Sequence, residues 1–172
     1  PPSIQGPEDG EYAIKPLLRL IKKANEERPC AIIIGCFDDT GLEKAREVSL
    51  CPVLGIGEAS FMFSKLHSGQ TAVITTVHDA VPVIKKNIEN SGYQKQINEV
   101  IAADVEVLEL EFNPSESAMK FALASKLLKP NAKNIILGCA GAVRIKDECE
   151  SITGYTAFDG VTSAAKLCRA LV

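Results

Sequence analysis

The sequence predicts an α/β protein: mostly parallel sheets with flanking helices, built as two pseudo-repeated β-α-β halves facing one cleft. Three observations carry this reading. Short, nearly all-apolar runs alternate with helical stretches along the whole chain, as strands do when both of their faces are covered. Two of those runs end alike, in Ile33-Ile34-Gly35-Cys36 and in Ile136-Leu137-Gly138-Cys139. The chain has 172 residues, 46% hydrophobic and 24% charged, the balance of one folded domain with a substantial core.

The elements follow in order. Ala13, Ile14, Leu17, Leu18, Ile21 and Ala24 fall at helical spacing within 11–28, where Pro16 is tolerable only near a first turn. Cys30–Gly35 reads as a buried strand, Gly41–Val48 as a short helix, Pro52–Ile56 as a strand and Glu58–Leu66 as a helix. Thr71–Thr75 is the next strand, Val81–Asn90 a helix and Ile97–Ala102 a strand. Asn113-Pro114 is a start signal for a helix over Ser115–Leu128. Then come strand Asn134–Leu137, helix Arg144–Ser151, strand Thr156–Phe158 and helix Thr162–Leu171. The two halves are expected at roughly 11–70 plus 155–172, and 71–154.

Composition removes several classes of function. With 19 basic against 22 acidic residues the net charge is −3, so no nucleic-acid or membrane surface is expected. The longest apolar runs, such as Ala31–Gly35, are strand-sized and too short to span a bilayer. The six cysteines form no C-x-x-C pair, and only His67 and His78 could join them, so neither a zinc site nor any other metal site is expected. A core of this size needs no disulfide staples, so free thiols in a reduced, cytoplasmic setting are expected. No secretory signal is read. The chain opens on Pro-Pro-Ser without Met, as a processed chain or part of a longer one does.

The matched strand ends belong to a longer repeat. At an offset of 103 residues, positions 31–60 and 134–163 share Ile32, Ile33, Gly35, Cys36, Glu47, Gly57 and Ser60 with their counterparts. The cysteine-to-glycine spacing is 21 residues in each half. Each cysteine therefore sits at the C-terminal edge of a buried strand, where ligands bind in parallel sheets. If the halves face each other, the two sulfurs line opposite walls of one cleft, unbonded and roughly 6–9 Å apart if a flat molecule is to exchange protons with both. The glycine before each cysteine lets backbone approach a ligand, and the helix after it is expected to favour thiolate. Cys30, Cys51, Cys149 and Cys168 lack this placement and read as small buried hydrophobes. Asp38 and Asp39 read either as caps for the helix that follows or as substrate contacts, with capping favoured for Asp39.

Gly55-Ile56-Gly57-Glu58-Ala59-Ser60, with Asp79 beyond, is close to a dinucleotide-binding fingerprint. Ser60 stands where that motif needs Gly or Ala, and the repeat explains Gly57 equally well, so nicotinamide binding is not favoured.

Several stretches together resemble the hydantoin/allantoin racemase branch of the aspartate/glutamate racemase superfamily. They are Gly35-Cys36-Phe37-Asp38-Asp39-Thr40-Gly41-Leu42, Pro52–Ala59, Ala72-Val73-Ile74-Thr75-Thr76, Ile135–Gly141 and Asp159-Gly160-Val161. The resemblance covers essentially the whole chain, with the motifs in the family's order. It implies a cofactor-free racemase with Cys36 and Cys139 as acid and base, acting on a small molecule, a hydantoin or allantoin. It also implies substrate contacts from Phe37, Thr75, Thr76, Gly138 and Ala140. Family members normally begin with a further strand and helix, so this chain is expected to lack that segment. A homo-oligomer is compatible with the composition. An amino-acid racemase of the Asp/Glu type, or an idle relative with a binding or regulatory role, is the competing reading.

Overall fold

The computed structural model describes residues 3–171. Its elements run α1 (Pro7–Glu27), β1 (Ile32–Ile34), α2 (Leu42–Val48), β2 (Val53–Gly55), α3 (Ile56–Ser64), β3 (Gln70–Thr75), α4 (Ala80–Asn90) and β4 (Ile97–Ala102). They continue with α5 (Glu109–Phe112), α6 (Pro114–Ser125), β5 (Ala132–Gly138), a 3-10 turn (Ala140–Arg144), α7 (Lys146–Thr153), β6 (Thr156–Asp159) and α8 (Gly160–Ala170). Strand and helix alternate as the sequence predicts, and all strand pairs are parallel. There are two sheets: β1-β2, and a four-stranded sheet in the order β4-β3-β5-β6.

The alternation of side chains along β3 and β5 sorts the core into two layers. Ala72, Ile74, Ile135 and Leu137 face a cluster with Phe121, Leu110 and Ile145. Val73 and Ile136 face the other way, onto Phe61, Ile84, Ile88 and Ala164. Each of these large apolar side chains, removed from water, contributes on the order of 2 kcal/mol. A third, smaller cluster joins Ile34 and Val53 of the two-stranded sheet to Ile21, Leu42 and Ala45. Coverage there is incomplete, and Ile33 is 41% exposed, against the expectation of a fully buried strand.

The repeat is visible in three dimensions. β1-α2-β2-α3 and β5-α7-β6-α8 follow one plan, each with its two strands paired directly. The registers differ by one residue: Ile33 pairs Leu54, whereas Ile136 pairs Phe158. Gly57 and Gly160 earn their identity by close approach. A Cβ on Gly160 would press on the Ile56 carbonyl, and one on Gly57 would strike the Phe37 carbonyl and the Asp39 carboxylate. β6 extends the four-stranded sheet beside β5, while α8 packs on α3.

Helix α1 starts earlier than the periodicity predicts, at Pro7, which suits a first-turn position. Pro16 is consequently interior. It leaves the carbonyl of Tyr12 without its helical donor, and Tyr12 is exposed, so water can take that role. Helix α5 and the 3-10 turn were not expected: each is close to a single turn, too short to display a period.

Candidate active site

A cleft of about 160 Å³ opens at the C-terminal ends of the strands. The loop after β1 supplies Gly35, Cys36, Phe37 and Asp38; the end of β3 and the start of α4 supply Thr75, Thr76 and Ala80; the end of β5 supplies Gly138, Cys139 and Ala140. Val107 and the N-terminal Ser3 and Ile4 complete it. All seven residues singled out from the sequence as site candidates thus border one space. Asp38, left open between cap and substrate contact, joins them; Ala80, Val107, Ser3 and Ile4 were not foreseen there. Asp38 had a signal, since it neighbours Cys36 and is acidic; the others reach the cleft only through the tertiary fold. A larger hollow of about 450 Å³, bordered by Ile14, Asp39, Glu58 and Asn87, holds no thiol.

The lining residues differ in what they leave available. Thr75 is fully buried, and its hydroxyl donates to the Gly138 carbonyl at 2.9 Å. That bond ties β3 to β5 and leaves Thr75 only lone pairs for a ligand, which narrows the substrate contact expected of it. Among the described residues no side-chain hydrogen bond occupies the Thr76 hydroxyl, so Thr76 remains a donor. The Phe37 ring is buried edge-on against Phe61, centroids 6.1 Å apart, and anchors the loop that carries Cys36. The two repeat glycines serve different ends. A Cβ at Gly138 would crowd Thr75 Cα and Cβ at 3.0 Å, whereas one at Gly35 would meet nothing within 4 Å. Gly138 is needed by the sheet; Gly35 borders the cleft and has open space where a side chain would stand.

Both thiols are unpaired, Cys36 half-buried and Cys139 buried. Cys30, Cys51, Cys149 and Cys168 are also free and lie outside the cleft. Of these, Cys149 is buried in the core, whereas Cys30 is exposed and Cys51 and Cys168 are half-exposed, so only Cys149 behaves as the fully buried hydrophobe expected of all four. His67 meets the Phe158 ring edge-on, and His78 pairs with Asp104 at the surface; neither lines the cleft.

The expected bias toward thiolate is not what the site provides. Burial pushes the Cys36 thiol up; the Thr40 hydroxyl pulls it part of the way back, the Asp38 carboxylate opposes that, and the N–H groups of Asp38 and Thr40 help. Burial pushes Cys139 up to about 11, against the N–H groups of Gly141 and Ala140 and reinforced by Cys36 and Asp38. The reason lies in the helices. α2 starts only at Leu42, six residues past Cys36, and Cys139 leads into a 3-10 turn instead of an α-helix. Single N–H groups replace the expected helix end, and desolvation dominates. Asp38 is itself raised to about 6 by burial.

Asp39 does cap a helix, but α3 and not the one that follows it in sequence. Its carboxylate accepts from the N–H groups of Gly57 at 2.9 Å and Glu58 at 2.7 Å. In the second half Asp159 caps α8 from the adjacent position, accepting from Thr162 N–H at 2.7 Å. The repeat puts Ile56 where Asp159 stands, so α3 has to draw its cap from the Cys36 loop. The same carboxylate fills the space beside Gly55 and Gly57. These glycines of the dinucleotide-like motif therefore accommodate a side chain of the chain itself. Among the described residues, no cluster of side chains suited to a metal ion is found, and no helix is long and apolar enough to cross a membrane.

This scaffold is shared with solved racemases. Allantoin racemase from Klebsiella pneumoniae superposes with a TM-score of 0.90 at 27% identity, over 99% of this chain and 70% of that one. Allantoin racemase from Pseudomonas fluorescens gives 0.92 at 26% identity, over 98% and 72%. In sequence, a hydantoin racemase of Rhizobium meliloti is 34% identical over 174 aligned residues, 100% of this chain and 72% of the relative. Fold and relatives define an isomerase of the racemase class. The chain belongs to the Asp/Glu/Hydantoin racemase family, whose model matches residues 1–168.

Proposed function

We propose that the chain inverts the acidic ring carbon of a hydantoin-type substrate, allantoin or a 5-substituted hydantoin, by proton transfer through Cys36 and Cys139 without a cofactor. The observation that supports this best is the pair of free thiols, presented by repeated Gly-Cys strand ends, bordering one cleft. Racemisation needs a base on one face of a carbon and an acid on the other, with roles that swap between enantiomers. One sulfur must act as thiolate while its counterpart keeps its proton, and each turnover exchanges these states. In a hydantoin ring the carbon that loses the proton adjoins a carbonyl, so charge passes to oxygen. The backbone N–H groups beside the cysteines and the Thr76 hydroxyl are suited to receive it.

The charge of the cleft favours this substrate class over a free amino acid. Its described lining includes one carboxyl, Asp38, and no Lys, Arg or His. A neutral ring binds there without penalty, whereas a substrate carboxylate meets a like charge. Polarimetry on allantoin, substituted hydantoins, aspartate and glutamate tests the assignment. Loss of optical rotation with a hydantoin and none with the amino acids supports it; the reverse pattern, or no activity on any of them, overturns it. Free thiols fit a cytoplasmic setting, and a homo-oligomer is testable by light scattering.

A further inference from the structure

The two walls of the cleft start alike, each with a Gly-Cys pair at a strand end. Beyond the cysteines their side chains differ, and one difference touches the sulfur itself. The Thr40 hydroxyl lies 3.4 Å from Cys36 Sγ, within hydrogen-bonding range of sulfur. At the 103-residue offset of the repeat, the position of Thr40 is taken by Val143, which has no hydroxyl to offer Cys139. A thiolate has no hydrogen, so whenever Cys36 is ionised the bond runs from Thr40 Oγ1 to sulfur and stabilises the charged form.

We propose that Thr40 is a positioning residue that makes Cys36, and not Cys139, the first of the two thiols to give up its proton, so that the singly ionised site is handed: base on the Cys36 wall, acid on the Cys139 wall. The ordering stands on this geometry; its catalytic meaning rests on the two-base reading above. The consequence for catalysis is that the two enantiomers meet unequal enzyme forms. The one presenting its proton to Cys36 draws on the more populated of the two singly ionised forms. The other needs Cys139 ionised and Cys36 protonated, the rarer state.

Other ionisable groups around Cys36 do not produce this order. Asp38, on the same loop, disfavours thiolate on both walls. From the end of β5, Cys139 itself faces the site. In the loop between β3 and α4, His78 and Asp79 are exposed, and Asp104 after β4 is engaged with His78. On α1, Asp9 accepts from the Gln5 N–H at 3.1 Å.

Differential alkylation of the substrate-free protein reads the order directly. Iodoacetamide is applied briefly between pH 6 and 10, and the tryptic peptides 24–44 and 134–144, which hold Cys36 and Cys139 respectively, are quantified by mass spectrometry, with fragment ions separating Cys36 from Cys30 on the first peptide. In the unsubstituted protein Cys36 is expected to label at lower pH than Cys139. Thr40→Val is expected to move the Cys36 midpoint up by roughly one pH unit, about a tenfold slower labelling at pH 8, with Cys139 unmoved. Thr40→Ser is expected to restore it. Thr40→Ala is the second variant, removing the hydroxyl without new bulk; an unfolded variant betrays itself by fast labelling of both cysteines, and the alanine then decides. An unchanged Cys36 profile in the folded hydroxyl-free variant overturns the proposal, as do equal slowing of both thiols or earlier labelling of Cys139 in the unsubstituted protein. No substrate is involved, so a negative result here leaves the racemase reading standing, and an inactive protein with ordered labelling does the converse.

Discussion

Asp39 Oδ1 accepts a hydrogen bond of 2.9 Å from the Gly57 N–H, and this contact ties the Cys36 loop to the start of helix α3. Eighteen residues separate the partners. The bond holds Asp39 in left-handed backbone geometry, φ 49°, an uncommon conformation for a residue with a side chain. Asp39→Ala removes the cap from α3 and the anchor from the loop. It is expected to lower stability by about 1–2 kcal/mol, measured as a shift in the urea midpoint with unchanged slope. Asp39→Asn keeps one acceptor oxygen and is expected to fall between; an alanine variant as stable as the parent contradicts the cap.

Cys36→Ser and Cys139→Ser are each expected to abolish racemisation, because an alcohol is too weak an acid to stand in for the thiolate. Each variant keeps one competent wall. In D2O, proton NMR should therefore show exchange of the ring-carbon hydrogen from a single enantiomer, the opposite one in the two variants. Full racemase activity in either variant sinks the two-base mechanism.

Asp38→Asn is expected to shift the rising limb of the pH–rate profile to lower pH, by roughly half a unit to one unit. The sign follows from the charge: ionised Asp38 opposes thiolate at Cys36 and Cys139, and asparagine removes that opposition. Asp38 takes up its own proton near pH 6. The difference between the two proteins should accordingly be present above that pH and fade below it. A shift to higher pH, or none, contradicts the placement of this carboxyl.

Gly35→Ala and Gly138→Ala make a matched pair with opposite expected outcomes. At Gly138 a methyl group crowds Thr75 across the β3-β5 ladder, and destabilisation of roughly 1–3 kcal/mol is expected in thermal melts. At Gly35 the methyl group meets no protein atom, so Tm should hold while KM rises, because the methyl group occupies room meant for substrate. Equal losses of stability at both positions contradict this division.

Much of this was legible in the chain itself, for physical reasons. Buried strands such as Ile135–Leu137 announce themselves because both faces need apolar residues, and the Cys36/Cys139 repeat preserves spacing even where few residues match. The parts that escaped are those a local pattern cannot encode. Helix α5 is four residues long, less than a period needs. The partner of Asp39 lies across a strand and a helix. The Thr75 hydroxyl is committed to Gly138, sixty-three residues away. The ionisation of the thiols ran against the local rule because it depends on desolvation, which only the assembled cleft determines.

The two sheets give the walls of the cleft unequal footing. Cys139 ends a seven-residue strand held between β3 and β6. Cys36 follows a three-residue strand with a single paired neighbour, itself three residues long, and a half-exposed middle side chain. A pair of strands that small has few backbone bonds to break before it opens. The cleft is in mechanical terms an anvil and a jaw. Compliance is concentrated on the Cys36 side, where amide hydrogens of Ile32–Ile34 should exchange with solvent long before those of Ile135–Leu137, and any change of width that a bulkier ring demands will be taken up there.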